Sequence, residues 1–150
     1  QMTAKEYLNQ TFRLDQRINS KLERVEVLRA LAQKVTASYE REPVSHSRCT
    51  ASMENTIHRL MEAEEELSQA INLLLEVSAV IQKVQNLEYQ LLLELRYLCF
   101  KSWSEIAVRM DLEERYVYKV HGRALQEVEK ILASEQRCEK TVLDSPQGVI

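Results

Sequence analysis

A chain of 150 residues that is 45% hydrophobic and 29% charged has room for one compact domain or two small ones. Two glycines and two prolines leave little material for turns, so the composition predicts an almost wholly helical, all-α protein. A formal net charge of −3 excludes a non-specific packager of nucleic acid and leaves open a reader that uses a local patch.

The apolar runs are short and the N-terminus is polar, so neither a signal peptide nor a membrane-spanning segment is expected and the protein is placed in a cytoplasm. Gln1 ahead of Met2 reads as a remnant before a natural start. Cys49, Cys99 and Cys138 are odd in number and widely spaced, which fits reduced thiols.

Thr3 and Glu6 have the spacing of a capping box, and the segment they open runs without Gly or Pro to about Tyr39. Tyr7, Leu8, Leu14, Ile18, Leu22, Val25, Leu28, Ala32 and Val35 recur mostly at threes and fours, predicting one amphipathic helix on the order of 50 Å long. Residues 41–51, with Pro43 and no periodicity, predict a loop, and Ser52 is placed to cap a second long helix. That helix carries Met53, Ile57, Leu60, Leu67, Ile71, Leu74, Ile81 and Val84 on one face, interrupted by Glu64. Helices of matching length joined by a loop are expected to form an antiparallel, coiled-coil-like hairpin over residues 2–85.

From residue 3 to 35 there are seven Lys or Arg against four acids, and from 52 to 84 two bases against six acids. Opposite flanks favour this pairing over self-pairing of either helix, although each exposed pair adds little. Val27, Leu31, Leu73, Leu75, Val77 and Val80 lie off the main stripes and call for a further surface, for which a second subunit is favoured.

Residues 86–133 read as a separate domain of three short helices. Leu91, Leu92, Leu95 and Leu98 give the first a stripe, which breaks at Phe100 and Lys101. Ser102 and Glu105 form a second capping box, opening a helix of about two turns. A turn at Asp111 and Leu112 leads to a longer helix carrying Val117, Val120, Ala124, Val128 and Ile131. Ala107 is the small residue where two helices cross, and Leu95, Ile106, Met110, Leu112, Val117 and Val120 close a small core, which is the layout of a helix-turn-helix. Residues 134–150, containing Pro146 and Gly148, lose periodicity and are expected to be a flexible tail.

The segment LRYLCFKSWSEIAVRMDLEERYVYKVHGRAL resembles region 4 of bacterial sigma factors: a Leu-Arg-Tyr step before a turn, a Glu-Ile-Ala core and a helix ending in Arg-Ala-Leu. Met2 to about Leu132, with TAKEYLNQ, RLDQRINSKLE and LELRYLCFKSW, resembles small phage and prophage proteins of Gram-positive bacteria related to ArpU-type and RinA-type late transcription regulators. The resemblance implies a phage-encoded, sequence-specific transcription regulator, an activator of late genes acting with host RNA polymerase in a bacterial cytoplasm. Where sigma-like elements usually have Gly, this chain has Asp111, a residue able to take a left-handed turn. Near Glu113 they usually have Ser or Thr.

On the last helix of the motif, Arg115, Lys119 and Arg123 fall at intervals of four with Tyr116 and Tyr118 beside them. Arginine near a recognition-helix start suits a guanine edge, and the remaining cations suit phosphate. Lys101, Ser102, Trp103 and Ser104 at the preceding helix start are candidates to hold a backbone phosphate. Glu113 and Glu114 oppose phosphate, and residues 86–133 hold seven bases and eight acids, so partner-assisted binding to double-stranded DNA, as a homodimer or with polymerase, is expected.

His46 and Cys49 supply only half a zinc site, and His58 and His121 read as surface or packing histidines. No Gly-rich phosphate loop or paired carboxylate site is evident, so no enzyme, metal or cofactor is expected. The competing reading is a helical protein-interaction module whose helix-turn-helix serves only as a packing unit.

Overall fold

A computed structural model describes the backbone of residues 2–41 and 46–143 and the side chains of residues 2–38 and 51–141. Its elements are α1 (Ala4–Asn9), α2 (Leu14–Arg41), α3 (His46–Gln82), α4 (Leu87–Leu93), a π-helical turn (Glu94–Leu98), α5 (Trp103–Met110) and α6 (Glu114–Leu143). The protein is all-α, with no strand among the described residues. Two compact units result: residues 1–12 with 74–150, and residues 13–73.

The single helix expected from Thr3 to Tyr39 is broken. The Thr3–Glu6 capping box forms, with the Glu6 N–H donating to the Thr3 hydroxyl and the Thr3 N–H to the Glu6 carboxylate. The helix then tightens after Asn9: Gln10, Thr11 and Phe12 donate N–H bonds to carbonyls three residues back, and the buried Thr11 hydroxyl donates to the Leu8 carbonyl at 2.8 Å. Arg13 comes next with φ of 54°, a left-handed residue that turns the chain. A threonine competing for backbone acceptors ends this helix, a stop that carries no Gly or Pro to announce it.

The second long helix starts earlier than expected. It opens at His46, so Ser52 is interior and its carbonyl accepts from the Thr56 hydroxyl at 2.9 Å. Residues 42–45, including Pro43, lie outside those described.

In the unit of residues 13–73, charge crosses between α2 and α3. Lys21 Nζ lies 2.7 Å from Glu66 Oε2, Arg24 reaches the same carboxylate at 3.6 Å, and Arg29 Nη2 lies 2.8 Å from Glu64 Oε1. Glu64 and Glu66 are two residues apart, about 160° around a helix, so they flank the seam on opposite sides. The Glu64 that interrupts the apolar stripe is thus the partner of a base on α2. Among the described residues of this unit, the buried apolar ones are few: Leu14, Val25, Ala63 and Ala70.

The other unit has a dense core. Leu8 of α1, Val77, Val80 and Ile81 of α3, Val84 beyond it, Leu92 and Leu93 of α4, Ile106 of α5, and Val117, Val120, Ala124 and Val128 of α6 are buried. Each of these large side chains contributes roughly 1.5–3 kcal/mol relative to exposure. α6 is the spine of this unit, packing against α1, α4 and α5.

Asn86 caps α4, its side chain accepting from the N–H groups of Glu88 and Tyr89. The π-helical turn adds a residue per turn and shifts the register of the residues beyond it. Leu92, Leu93, Leu95 and Tyr97 are buried, while the anticipated Leu91, which precedes the turn, is exposed and Leu98 is half-buried. Phe100, with φ of 57°, ends the turn. Ser134 does not begin an irregular tail: α6 continues to Leu143, the Ser134 hydroxyl donating to the Ile131 carbonyl and Lys83 pairing with Glu135. Residues 144–150, with Pro146 and Gly148, lie outside those described.

Candidate nucleic-acid interface

The second capping box forms as the sequence indicates. The Glu105 N–H donates to the Ser102 hydroxyl at 3.2 Å, and the Ser102 N–H to the Glu105 carboxylate at 2.8 Å. These bonds hold the Glu105 carboxyl below the ordinary carboxylate range, the bond from the Ser102 N–H being the larger cause. The helix they start ends on Asp111 at φ 54° and ψ 47°. The Leu112 N–H donates to the Ala107 carbonyl at 2.9 Å and the Asp111 N–H to the Val108 carbonyl at 3.3 Å, which together make a Schellman ending. Three residues, Asp111 to Glu113, then separate α5 from α6.

This turn orients α6. Its inner side is set by Val117, Val120, Ala124 and Val128, all buried. On the outer side Arg115, Tyr116, Tyr118, Lys119 and Arg123 are exposed. Four-residue steps advance about 40° around a helix and 6 Å along it, so the three cations occupy an arc of about 80° over about 12 Å. Among the described residues none of the three has a hydrogen bond or ion pair to a side chain. Gly122 lies about 20° outside the Arg115 edge of this arc, and a Cβ built on it would meet nothing within 4 Å.

The acidic residues at the start of α6 do not pair with these cations. Glu114 accepts instead from the Ser104 hydroxyl and the Tyr118 hydroxyl, each at 3.4 Å, and Glu113 is exposed. Glu114 therefore links the first turns of α5 and α6.

Around Trp103 the structure assembles a cluster that the sequence did not reveal. The Arg96 guanidinium carbon lies 4.3 Å from the centre of the Trp103 ring, with Nη1 donating to the Lys101 carbonyl at 2.9 Å. Tyr118 and His121 pack on the same indole, at centroid distances of 5.1 and 4.7 Å. His121 is buried, shares a 2.8 Å hydrogen bond with the Tyr97 hydroxyl, and has its pKa lowered to about 4, chiefly by burial and then by Lys5 and Arg96. Burial also raises the Tyr97 phenol. The alternation of Arg96, Trp103, Tyr118 and His121 among polar residues hides their convergence, because no two of them share one helical stripe except Tyr118 and His121.

Of the residues named at the start of α5, Ser102 spends its N–H and hydroxyl on the capping box, Ser104 donates to Glu114, Trp103 is half-buried in the cluster and Lys101 is half-buried. His121 takes the packing place expected of it, and His58 is exposed beside Glu62. The side chains of His46 and Cys49 lie outside those described, and among the described residues no group of acidic, His or Cys side chains is placed to hold a metal. No described helix is long and apolar enough to cross a membrane. Comparison with family profiles, characterised proteins and solved structures yields no match to this chain.

Proposed function

We propose that the protein is a phage-encoded, sequence-specific DNA-binding transcription regulator, an activator of late genes that works with host RNA polymerase. In this reading α5, its turn and α6 act as a sigma region 4-like helix-turn-helix, and α2 with α3 forms an antiparallel hairpin that joins two copies. The observation that carries the reading is the outer arc of α6, where Arg115, Lys119 and Arg123 are exposed and unpaired among the described residues beside an open Gly122. In this reading Arg115 takes a base edge, Lys119 and Arg123 take phosphate, and Tyr116 and Tyr118 take the sugar-phosphate backbone. In this reading Lys101, Ser102, Trp103 and Ser104 at the start of α5 hold a backbone phosphate. With a net charge of −3 and Glu113 exposed nearby, affinity rests on this patch together with a second copy or polymerase.

A second reading, a protein-interaction module with a merely structural helix-turn-helix, is favoured by apolar side chains left in solvent, Leu87 at 77% and Val108 at 82% exposure. The deciding experiment titrates the full chain against labelled double-stranded DNA from its phage's late promoter region and against scrambled DNA across a salt series. An Arg115→Ala/Lys119→Ala variant runs beside it. Preference for the promoter DNA that the variant loses supports the DNA reader. Equal binding to both DNAs, unchanged in the variant, sinks it.

A further inference from the structure

We propose that the face of α2 and α3 bearing Leu22, Ile57, Met61 and Ile71, centred on the Arg29–Glu64 pair, is the interface of a two-fold dimer with a second copy of this chain. It rests on the reading of the protein as a dimeric regulator and gives that dimer a surface.

In the unit of residues 13–73, Leu22, Val27, Leu31, Ile57, Met61 and Ile71 are exposed among the described residues. Besides two alanines, only Leu14 and Val25 among its described apolar residues are fully buried. Two helices with so small a shared core do not hold together by their own packing, whereas two such pairs make a four-helix bundle with an inner face. The exposed residues fall in order. Ile57, Met61, Glu64 and Ile71 are spaced by four, three and seven and occupy one side of α3. Leu22 and Arg29 are seven apart on the side of α2 that meets Glu64. Met61 is 64% exposed, and Leu22, Ile57 and Ile71 lie near 40%.

Charge selects the occupant. Both Nε and Nη2 of Arg29 donate to one oxygen of Glu64, Oε1, at 3.1 and 2.8 Å. Glu64 Oε2 and Arg29 Nη1 have no hydrogen bond among the described residues, and the side chains keep 42% and 61% of their exposure. One patch thus offers an acceptor and a donor together inside an apolar rim. A two-fold axis through it sets Arg29 of each copy against Glu64 of the other, so the patch is its own complement. A polar pair within an apolar seam also fixes the register in which the copies meet. On the other flank Val27 and Leu28 line a groove with Arg24, Arg59 and Glu62, where no bond between Arg29 and Glu64 is offered.

The test is the mass of the full chain by sedimentation equilibrium and native mass spectrometry, from micromolar to near-millimolar concentration. Wild type is expected as a dimer. Met61→Glu is expected as a monomer with unchanged helical circular dichroism, and Val27→Glu as a dimer. Arg29→Glu and Glu64→Arg are each expected to be monomeric alone and to form a heterodimer when mixed, which a pair acting only within one chain cannot produce. A monomeric wild type, a Met61→Glu variant that dimerises like wild type, or charge variants that fail to combine on mixing would each overturn the proposal. Because the readout is mass, a failure of dimerisation is recorded separately from a failure of DNA binding.

Discussion

The hydroxyl of Tyr97 and the Nε2 of His121, 24 residues apart in sequence, share a buried 2.8 Å hydrogen bond that ties the π-helical turn to the N-terminal third of α6. Protonated His121 is disfavoured in this place, and its pKa falls from 6.5 to about 4. Above pH 6.5 the ring is neutral in both folded and unfolded chains. Between 6.5 and 4 the unfolded chain takes up a proton that the folded one refuses, so stability falls as pH falls through that window, by roughly 2–3 kcal/mol in all. Thermal unfolding at pH 7 and pH 5 is expected to show this loss, and His121→Gln to reduce it. An equal pH effect in the variant would assign the loss to other groups. The lowered carboxyls of Glu6, Glu66 and Glu105 act at lower pH, their contributions being lost as pH falls through their folded values, below 4.5.

Removing the phenol should expose the same linkage from the other side. Tyr97→Phe leaves the His121 ring nitrogen buried without its partner, at a cost of about 1–3 kcal/mol. Denaturant unfolding at neutral pH is the measure, and a change below half a kilocalorie would mean that water replaces the hydroxyl.

At Asp111 the αL conformation is closed by two backbone bonds, from its own N–H to Val108 and from the Leu112 N–H to Ala107. Replacement with glycine removes a left-handed penalty of about 1–2 kcal/mol and adds unfolded-state entropy of about 0.5–1 kcal/mol. Asp111→Gly is therefore expected to stabilise slightly, and Asp111→Val to destabilise by more than 1 kcal/mol. Equal stability of the two variants would show that the turn has another conformation in solution.

Gly122 has open space where a Cβ would stand, so nothing within its own unit requires a glycine. Gly122→Ala should raise stability by about 0.5–1 kcal/mol through helix propensity alone. If α6 meets a DNA backbone across this arc, a bulkier Gly122→Leu should weaken promoter binding at least as much as loss of one cation. Undiminished binding would place the contact elsewhere on the helix.

Ser102 offers a check on how α5 is held. Ser102→Ala deletes the acceptor for the Glu105 N–H and is expected to cost about 1 kcal/mol. Glu105→Gln keeps the return bond to the Ser102 N–H and should cost less. The reverse order would mean that the carboxylate's charge at the helix start outweighs the cap.

The all-α class, both capping boxes, the end of α5 at Asp111 and the inner residues Ile106, Val117 and Val120 were legible from local pattern. Each depends on neighbours within a few residues. The break after Asn9 was not legible, because Thr11 and Arg13 stop a helix through a hydroxyl bond and a left-handed φ, without Gly or Pro. The start of α3 at His46 was missed for the opposite reason: Pro43 and the serines after it look like a longer loop, and Ser52 is as acceptable inside a helix as at its cap. In the candidate interface the cationic spacing of Arg115, Lys119 and Arg123 could be read directly. The packing of Trp103, Arg96 and His121 could not, since those residues come from three separate segments.

By itself, then, the sequence determined a helical chain with an amphipathic α6 whose outer arc carries cations, because helix periodicity and capping act over one or two turns. Tertiary structure decided which residues close the core beneath that arc. The π-helical turn holds a buried Tyr97 and leaves Leu98 half-buried, and burial makes His121 its neutral partner. It also decided that Glu64, an interruption when read along α3, faces Arg29 across a seam. The physical reason is the same in each case: a residue's partner at a distance is set by how helices pack, and packing is a property of the whole unit that no local spacing contains.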